Sequence, residues 1–292
     1  MLLKYIVKTM RPSQWTKNVL VFSGLIFSGR AVLASDVLLS AKAFIIFCLG
    51  SSSIYILNDI IDRANDKNHP FKKMRPIAAG QLSVPFALIF MITIALLSII
   101  GSFLFLNKAF CYVFIGYLLL MLSYLFVFKH IVILDILTVA VGFVLRAIAG
   151  AVVLNVEVSP WLMICTLLLA LLILMGKRRH ELLILGKEAY THRFILKEYS
   201  LRFLDQLIAV VTSSSVITYS LYTYSPDTVR RLGTDMMPLT IPFVLYGIFR
   251  YLYLTYQRNL GGAPEKLFIN DKALMVNNFL WVMASVIILY FR

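Results

Sequence analysis

Three polar side chains with oxygen atoms lie four residues apart at the end of an apolar segment. They are Asn58, Asp62 and Asp66. On a helix, positions i, i+4 and i+8 lie on one face, one turn apart, and two carboxylates stacked in this way repel each other unless a positive charge lies between them. Carboxylate and amide oxygens suit Mg²⁺, which typically joins one or two carboxylates to substrate phosphates. The spacing therefore predicts that these three residues hold magnesium and form the catalytic centre.

Cations follow this acidic stretch directly. Lys72, Lys73 and Arg75 come after a His-Pro pair at 69–70, where proline should end the helix. Carboxylates, a metal ion and several cations together make a site for a polyphosphate. A basic cytoplasmic loop that only sets membrane topology would also contain these cations, but it does not explain the aligned oxygen ligands. Asp59, one position off the acidic face, is either a supporting residue of the site or a solvated side chain.

The elements that must position these residues are membrane helices. Of the 292 residues, 60% are hydrophobic and 14% are charged, whereas a soluble domain is about 45–50% apolar and about 25% charged. Too little polar surface remains to coat a water-soluble globule. This composition excludes a cytosolic enzyme, a disordered chain and a nucleic-acid-binding module. The three cysteines lie in separate apolar runs, which indicates neither a disulfide framework nor a cysteine metal site.

Nine apolar segments are long enough to cross a membrane, which takes about 20 residues. Their approximate bounds are 16–34, 40–58, 83–106, 109–128, 131–154, 160–176, 203–224, 236–257 and 273–291. Lys and Arg outnumber Asp and Glu by 28 to 14, and most of them share one side if the N-terminus is cytoplasmic. The sequence predicts an all-α integral membrane protein with the N-terminus inside and the C-terminus outside. We interpret the first segment as a retained helix, although it also resembles a signal peptide.

Two long charged segments, 58–82 and 177–205, fall on the predicted cytoplasmic side. Lys177 and Glu181 in the second are i, i+4 neighbours, so an ordinary helix ion pair worth a few tenths of a kcal/mol is the alternative to a binding role. Both interpretations remain open for this segment.

Arg146 is a charged residue inside a predicted span. Asp135 lies eleven residues earlier, about three helical turns, and therefore on the same face. A charge near the bilayer centre costs about 2.5–3.5 kcal/mol on insertion scales, so it normally faces a cavity or a partner. Two alternatives remain open for the contact of the Arg146 side chain, namely a substrate phosphate and a structural partner. Gly142 and Gly150 are more simply interpreted as small residues for close helix packing.

The motif Asn58-Asp59-x-x-Asp62-x-x-x-Asp66 at the inner end of the second span resembles the UbiA-type prenyltransferase superfamily. Two further stretches resemble its polyprenyl-phosphate phosphoribosyltransferase branch, namely residues 69–80 and Arg11-Pro12-x-Gln14-Trp15-x-Lys17-Asn18. Typical members carry a second aspartate motif, DxxxD, after the sixth span, where it binds a second magnesium on a prenyl diphosphate. This chain has a cation-rich stretch there instead, which argues against ordinary prenyl-diphosphate binding.

The resemblance implies one transmembrane catalytic domain over residues 1–292, built as a UbiA-type bundle of nine helices with a lipid-open central cavity. It implies a bacterial plasma-membrane enzyme whose active site faces the cytoplasm. The implied reaction is Mg²⁺-dependent transfer of a 5-phosphoribosyl group from 5-phosphoribosyl 1-diphosphate to a long, decaprenyl-type polyprenyl phosphate, as a step towards cell-envelope arabinan precursors. The expected substrate-binding residues are Lys17, Asn18, Lys72, Lys73, Arg75, Arg146, Lys177, Arg178, Glu181 and Tyr199.

Two other functions remain as alternatives. A UbiA-type prenyltransferase would move a prenyl group from its diphosphate to an aromatic or other small acceptor. A transporter or channel would place charge near the membrane midplane in broken helices, whereas most of the charge here falls at one interface. Membrane lipids are expected partners, nucleic acid is not, and an oligomer is possible.

Overall fold

The computed structural model describes residues 2–68, 72–185, 194–262, 267 and 270–290, apart from the side chains of residues 68, 185 and 194. Within these ranges the regular elements are all helical and no strand occurs. The α-helices are α1 (Leu2–Met10), α2 (Ser23–Phe27), α3 (Ala34–Ile61), α4 (Arg63–Asn68), α5 (Val84–Phe105), α6 (Lys108–Phe126), α7 (Leu134–Val153), α8 (Pro160–Leu185), α9 (Leu201–Tyr224), α10 (Pro226–Leu232), α11 (Ile241–Tyr256) and α12 (Lys272–Tyr290). Tighter 3₁₀ helices cover Pro12–Phe22, Lys72–Met74, Phe128–His130, Phe194–Glu198 and Met237–Thr240.

Eight helices in the described part of the chain are long and apolar enough to cross a membrane. They are α3, α5, α6, α7, α8, α9, the continuous segment Met237–Tyr256 and α12. These helices correspond to eight of the nine predicted spans. The all-helical membrane architecture is therefore confirmed, but the number nine is not.

The exception is the first predicted span, 16–34, which does not form one long α-helix. Its first part belongs to the 3₁₀ helix Pro12–Phe22, which is followed by the five-residue α2. In a 3₁₀ helix the side chains at i and i+3 eclipse each other, so Trp15 and Asn18 point the same way. Both donate hydrogen bonds to serines of α3, over 3.1 Å to Ser52 and 3.2 Å to Ser51. These polar contacts accompany the tighter winding, which apolar character alone does not predict.

The start of the second charged segment, 177–205, is part of a helix. The sixth predicted span ends at 176, but α8 continues through the charged stretch to Leu185. Lys, Arg and Glu are good helix formers, so the helix extends beyond the apolar run. Residues 69–71 and 186–193, which belong to the two charged segments 58–82 and 177–205, lie outside the described residues.

Contacts between residues divide the chain into two compact units. The first comprises residues 1–26, 30–131 and 141–158, and the second comprises residues 27–29, 132–140 and 159–292.

In the first unit, α3 packs against α5, α6 and the Pro12–Phe22 helix. Its core contains Phe47, Phe110, Phe114 and Tyr117, and the rings of Phe47 and Phe114 meet edge to face at 5.1 Å. In the second unit, α8 packs along α9. Buried side chains of these helices and α11 form its core.

The segment that follows the Lys72–Met74 helix is anchored in the first unit. Ile77 is fully buried and Leu82 is nearly so, and both pack with Ile56 of α3. The backbone N–H of Gln81 donates to the carbonyl of Pro76 over 2.8 Å, which closes a turn. These apolar anchors hold the neighbouring cations close to the end of α3.

Gly150 is a point of close backbone packing in the first unit, as its interpretation as a small packing residue predicts. A Cβ atom at this position would lie 2.7 Å from the carbonyl carbon of Val21. Because backbone cannot move aside as a flexible side chain can, we expect Gly150→Ala to lower the stability by about 1–3 kcal/mol or more. The melting temperature of the purified protein in detergent measures this effect. Gly116→Ala is the control, because a Cβ at Gly116 would have nothing within 4 Å; equal melting temperatures for the two variants would contradict the prediction.

Candidate active site

The predicted acidic face at the end of α3 is present in the helical register. The backbone N–H of Asp62 donates to the carbonyl of Asn58 over 2.9 Å, and that of Asp66 donates to the carbonyl of Asp62 over 2.9 Å. The one-turn spacing therefore continues from α3 into α4. Asp66 is buried, whereas Asn58 and Asp62 are half-buried.

Each of three carboxylates in this region has a cationic partner. We call Asp59, Asp62 and Asp66 the acidic cluster. Lys129 Nζ lies 3.0 Å from Asp62 Oδ1, and Arg75 Nη1 lies 2.6 Å from Asp66 Oδ2.

Asp59 is only 2% exposed, and it accepts from two guanidiniums. Its Oδ1 accepts from Arg11 and, over 3.0 Å, from Arg75. Three carboxylates thus face three cations, which resolves the repulsion expected from the sequence. This burial fits the interpretation of Asp59 as a supporting residue of the site, and it does not fit a solvated side chain.

The oxygen atoms of Asn58, Asp62 and Asp66 are compatible with a magnesium ion that is also bound by a phosphate. Among the described residues, no group of three or more His, Cys, Asp or Glu side chains has an arrangement that could hold a metal ion. Asn58, Asp62 and Asp66 offer two carboxylates and one amide, all hard oxygen donors. Mg²⁺ usually keeps several waters and binds through one or two carboxylates plus substrate phosphates, rather than in an all-protein cage. The residues therefore fit magnesium that arrives with a phosphate ligand.

Three predicted lysines of the first unit lie on 3₁₀ helices, and Arg75 comes directly after one of them. Lys72 is half-buried and Lys73 is exposed on the Lys72–Met74 helix, and Arg75 follows directly. Lys17 is half-buried on the Pro12–Phe22 helix. Of these four, the structure brings Arg75 onto two carboxylates of the acidic cluster.

Arg146 has neutral partners within the first unit. It is 4% exposed, and it donates to Asn18 Oδ1, the Gly142 carbonyl and the Tyr117 hydroxyl, each over 2.8 Å. Its guanidinium also lies 4.6 Å from the centre of the Tyr117 ring, a cation–π contact. Asn18 is itself fully buried and donates to Ser51 Oγ. These contacts favour a structural role for Arg146 over binding of a substrate phosphate.

A second buried network lies in the second unit, around Asp135. This carboxylate is fully buried and accepts from Arg178 Nε over 3.1 Å and from the Tyr199 hydroxyl over 2.6 Å. Arg178 also donates to Glu181 over 3.1 Å, and the Glu181 side chain is 26% exposed. Burial and the hydrogen bond to Asp135 raise the pKa of Tyr199, so this hydroxyl stays protonated and donates. Buried groups thus hold the partly exposed Glu181 in place.

A third charged group connects α8, α9 and α11. Arg179 Nε donates to Asp205 over 2.7 Å, and the Tyr256 hydroxyl donates to the same oxygen over 2.9 Å. The guanidinium of Arg179 lies 4.1 Å from the centre of the Tyr256 ring. These contacts tie the charged end of α8 to the neighbouring helices of the second unit.

Arg11 and Lys129 were not among the site residues expected from the sequence. Arg11 belongs to the N-terminal motif quoted above, which was a usable signal. Lys129 is 67 positions from its partner Asp62, and no local pattern indicates that distant pair. The short helix Phe128–His130 carries Lys129 to this carboxylate.

The fold and the acidic cluster define a class of protein. The sequence model of the UbiA prenyltransferase family matches residues 19–283. The chain belongs to the UbiA prenyltransferase family, as its motifs predict, and it is a multi-pass membrane protein.

Within this class the chain is similar to named phosphoribosyltransferases. It is 33% identical to the decaprenyl-phosphate phosphoribosyltransferase of Corynebacterium glutamicum, over 97% of this chain and 86% of the relative. It is 30% identical to the protein of that name from Mycolicibacterium smegmatis, over 95% of this chain and 90% of the relative. The predicted resemblance to the phosphoribosyltransferase branch is therefore confirmed.

Solved structures support the fold. A UbiA homolog from Archaeoglobus fulgidus, bound to GPP and Mg²⁺, superposes with a TM-score of 0.72 at 17% identity, covering 98% of this chain and 99% of the other. The structure reported for digeranylgeranylglyceryl phosphate synthase superposes with a TM-score of 0.65 at 17% identity, covering 100% and 99% of the two chains. At this identity the likeness supports the helical architecture alone.

Proposed function

We propose that this protein transfers the 5-phosphoribosyl group of 5-phosphoribosyl 1-diphosphate to a long polyprenyl phosphate and releases diphosphate. The observation that carries the proposal is the acidic cluster, where carboxylates and cations meet at the end of a membrane helix. Near-full-length similarity to two proteins named decaprenyl-phosphate phosphoribosyltransferase supports it. A polar donor and a lipid acceptor are the substrates that suit such a place.

Charge balance favours a metal–diphosphate ligand at this site. The acidic cluster is already matched by Arg11, Arg75 and Lys129, so a metal ion alone would add uncompensated positive charge. A diphosphate that enters together with Mg²⁺ offsets this charge. Asp62 and Asp66, with Asn58 beside them, would hold the metal, and we assign the catalytic role to these three residues.

The cations around the cluster would bind the phosphates of the donor and the lipid. Lys72, Lys73 and Lys17 are exposed or half-buried residues of the same unit, and Arg75 offers a planar fork that matches phosphate oxygens. The substrate-binding role of the second-unit residues stays a prediction of the sequence; these residues are Lys177, Arg178, Glu181 and Tyr199. For Asn18 and Arg146, burial favours a supporting role, in which Asn18 holds the N-terminal segment on α3 through Ser51 and Arg146 of α7 donates to Asn18.

The chemistry requires little proton transfer by the protein. Breaking the C1–O bond of the donor develops oxocarbenium-like charge on the ribose, as in glycoside cleavage. A lipid phosphate is already an anionic nucleophile, so it needs no strong general base. When bound, Mg²⁺ neutralises charge on the leaving diphosphate. Attack from the face opposite the diphosphate inverts the anomeric centre.

The membrane context completes the proposal. The Pro12–Phe22 helix and α2 together have a length of about 30 Å at the usual rises of 3₁₀ and α-helices, which matches the hydrocarbon core of a bilayer. We propose that this segment crosses the bacterial plasma membrane as a ninth span, with the N-terminus and the site on the cytoplasmic side. The chain then acts as one catalytic domain, and the tail of the lipid substrate lies in a cavity open to the bilayer. The reaction is a step towards arabinan precursors of the cell envelope.

A product assay tests this function. The full chain is purified in detergent and incubated with radiolabelled 5-phosphoribosyl 1-diphosphate, a panel of polyprenyl phosphates and Mg²⁺. We expect a labelled lipid that forms only with a lipid phosphate and disappears when the metal is chelated. A prenylated product from prenyl diphosphate and a small acceptor, with no labelled lipid, would favour the UbiA-type prenyltransferase instead.

A further inference from the structure

The N-terminal segment 8–18 lies along α3, held there by hydrogen bonds. Trp15 Nε1 donates to Ser52 Oγ over 3.1 Å, and that hydroxyl donates to the Met10 carbonyl over 3.0 Å. Lys8 Nζ donates to the carbonyl of Met74, next to the cations of the site, over 3.0 Å. The segment is therefore fastened to α3, which carries Asp59, and to Met74, the residue directly before Arg75.

Arg11 has an unusual backbone conformation at the centre of this segment. Its φ and ψ are 55° and 63°, the left-handed region that residues other than glycine rarely adopt. Arg11 also precedes Pro12, and a residue before proline normally prefers an extended conformation. Such strain persists only where the surrounding structure holds it, and it concentrates at functional sites. In this backbone conformation the Arg11 side chain reaches Asp59, and its guanidinium lies 5.3 Å from the centre of the Tyr55 ring.

From Arg11 a continuous series of contacts leads to a predicted metal ligand. Asp59 Oδ1 accepts from Arg11 and from Arg75 Nη1, and the same Nη1 donates to Asp66 Oδ2 over 2.6 Å. We call these four residues the arginine–aspartate network. Asp59 is 2% exposed and Asp66 is 3% exposed, so water does little to screen the charges that hold Arg75 between them.

We propose that Arg11 is a positioning residue of the active site, which acts through Asp59 and Arg75 on Asp66. This inference rests on the proposed function and deepens it. With Arg11 in place, Asp59 is charge-balanced and Arg75 is shared between the two aspartates. Without Arg11, Asp59 draws Arg75 away from Asp66, and both the metal ligand and the phosphate-binding cation lose their positions.

A metal titration separates positioning from simple charge. Removing a cation near a metal site should tighten metal binding if only charge matters, whereas loss of positioning should weaken it. We therefore expect Arg11→Gln to weaken Mn²⁺ binding about 10-fold to 100-fold, as losses of residues that orient metal ligands typically do. Asp59→Asn should weaken it similarly, and the double variant should be no weaker than Asp59→Asn alone. Mn²⁺ bound to the full chain in detergent is measured by electron paramagnetic resonance with inorganic diphosphate present in every titration, against a protein-free mixture of the same Mn²⁺ and diphosphate.

Arg63→Gln is the matched control. Arg63 is exposed at the start of α4, close to the acidic cluster in sequence, so its loss changes the charge but not the network. We expect Mn²⁺ binding that is unchanged or slightly tighter. Unchanged or tighter binding in Arg11→Gln as well would overturn the positioning role.

Arg11→Lys is the second variant, which decides the matter if Arg11→Gln unfolds at the assay temperature. Lysine keeps the charge but lacks the planar fork, so weakened Mn²⁺ binding supports the inference and wild-type binding overturns it. The KM for the donor should rise in parallel, with a smaller change in kcat. If the wild type binds Mn²⁺ but transfers no phosphoribosyl group, the proposed function fails, and the titrations still decide the positioning role. If the wild type binds no Mn²⁺ in the presence of diphosphate, both fail.

Discussion

We expect Asp62→Ala and Asp66→Ala each to lower phosphoribosyl transfer by about 10²–10³-fold, by analogy with the loss of a preorganised electrostatic contact. Asp62 contacts Lys129 and Asp66 contacts Arg75. Each variant thus removes a predicted metal ligand and leaves a cation without this partner. The measurement is the rate of labelled lipid formation at saturating donor, with and without added Mg²⁺.

The control for these variants is Asp227→Ala, because Asp227 forms an exposed ion pair with Arg230 on α10. This variant should transfer at the wild-type rate. Melting temperatures show whether each variant is folded, so that loss of activity is not confused with unfolding. Near-wild-type rates in folded Asp62→Ala and Asp66→Ala would refute the catalytic assignment.

Asp135→Ala should have the largest effect on stability. It leaves Arg178, which is 3% exposed, without the fully buried carboxylate that pairs with it, and removing one partner of a buried ion pair typically costs about 3–5 kcal/mol. Tyr199 loses its hydrogen-bond acceptor at the same time. The free energy of unfolding of the purified protein in mixed micelles measures the loss.

Burial is the reason for the large loss of stability expected in Asp135→Ala. A second, exposed ion pair tests this explanation. Asp227→Ala removes an aspartate that also pairs with an arginine, but those side chains are 71% and 78% exposed, and such pairs contribute about 0–1 kcal/mol. The double variant Asp135→Leu with Arg178→Met should regain much of the lost stability, because an apolar pair needs no counter-ion. Equal losses in Asp135→Ala and Asp227→Ala would contradict the prediction.

Local patterns in the sequence predicted the helical spacing of the candidate site residues. The i, i+4 spacing of Asn58, Asp62 and Asp66 depends only on helical periodicity, and the register is present. The eight long apolar helices followed from hydropathy in the same direct way. Gly150 was correctly interpreted as a packing residue, because a small side chain in an apolar span has few other uses.

The first span shows where such patterns fail. Hydropathy detects apolar segments but not their winding, and segment 16–34 has enough apolar residues for an α-helix. Polar contacts from Trp15 and Asn18 to α3 accompany a 3₁₀ helix instead. A rule based on composition contains no information about these contacts, because their acceptors lie on another helix.

The sequence by itself therefore determined the class of protein, the apolar helices and the residues that share one helical face. The tertiary structure alone decided which cation faces which carboxylate. Asp59 and Arg11 are 48 positions apart, and Asp62 and Lys129 are 67 positions apart. The physical reason is that helical periodicity acts over a few turns, whereas partners from distant segments meet only when buried apolar surfaces have packed the helices together.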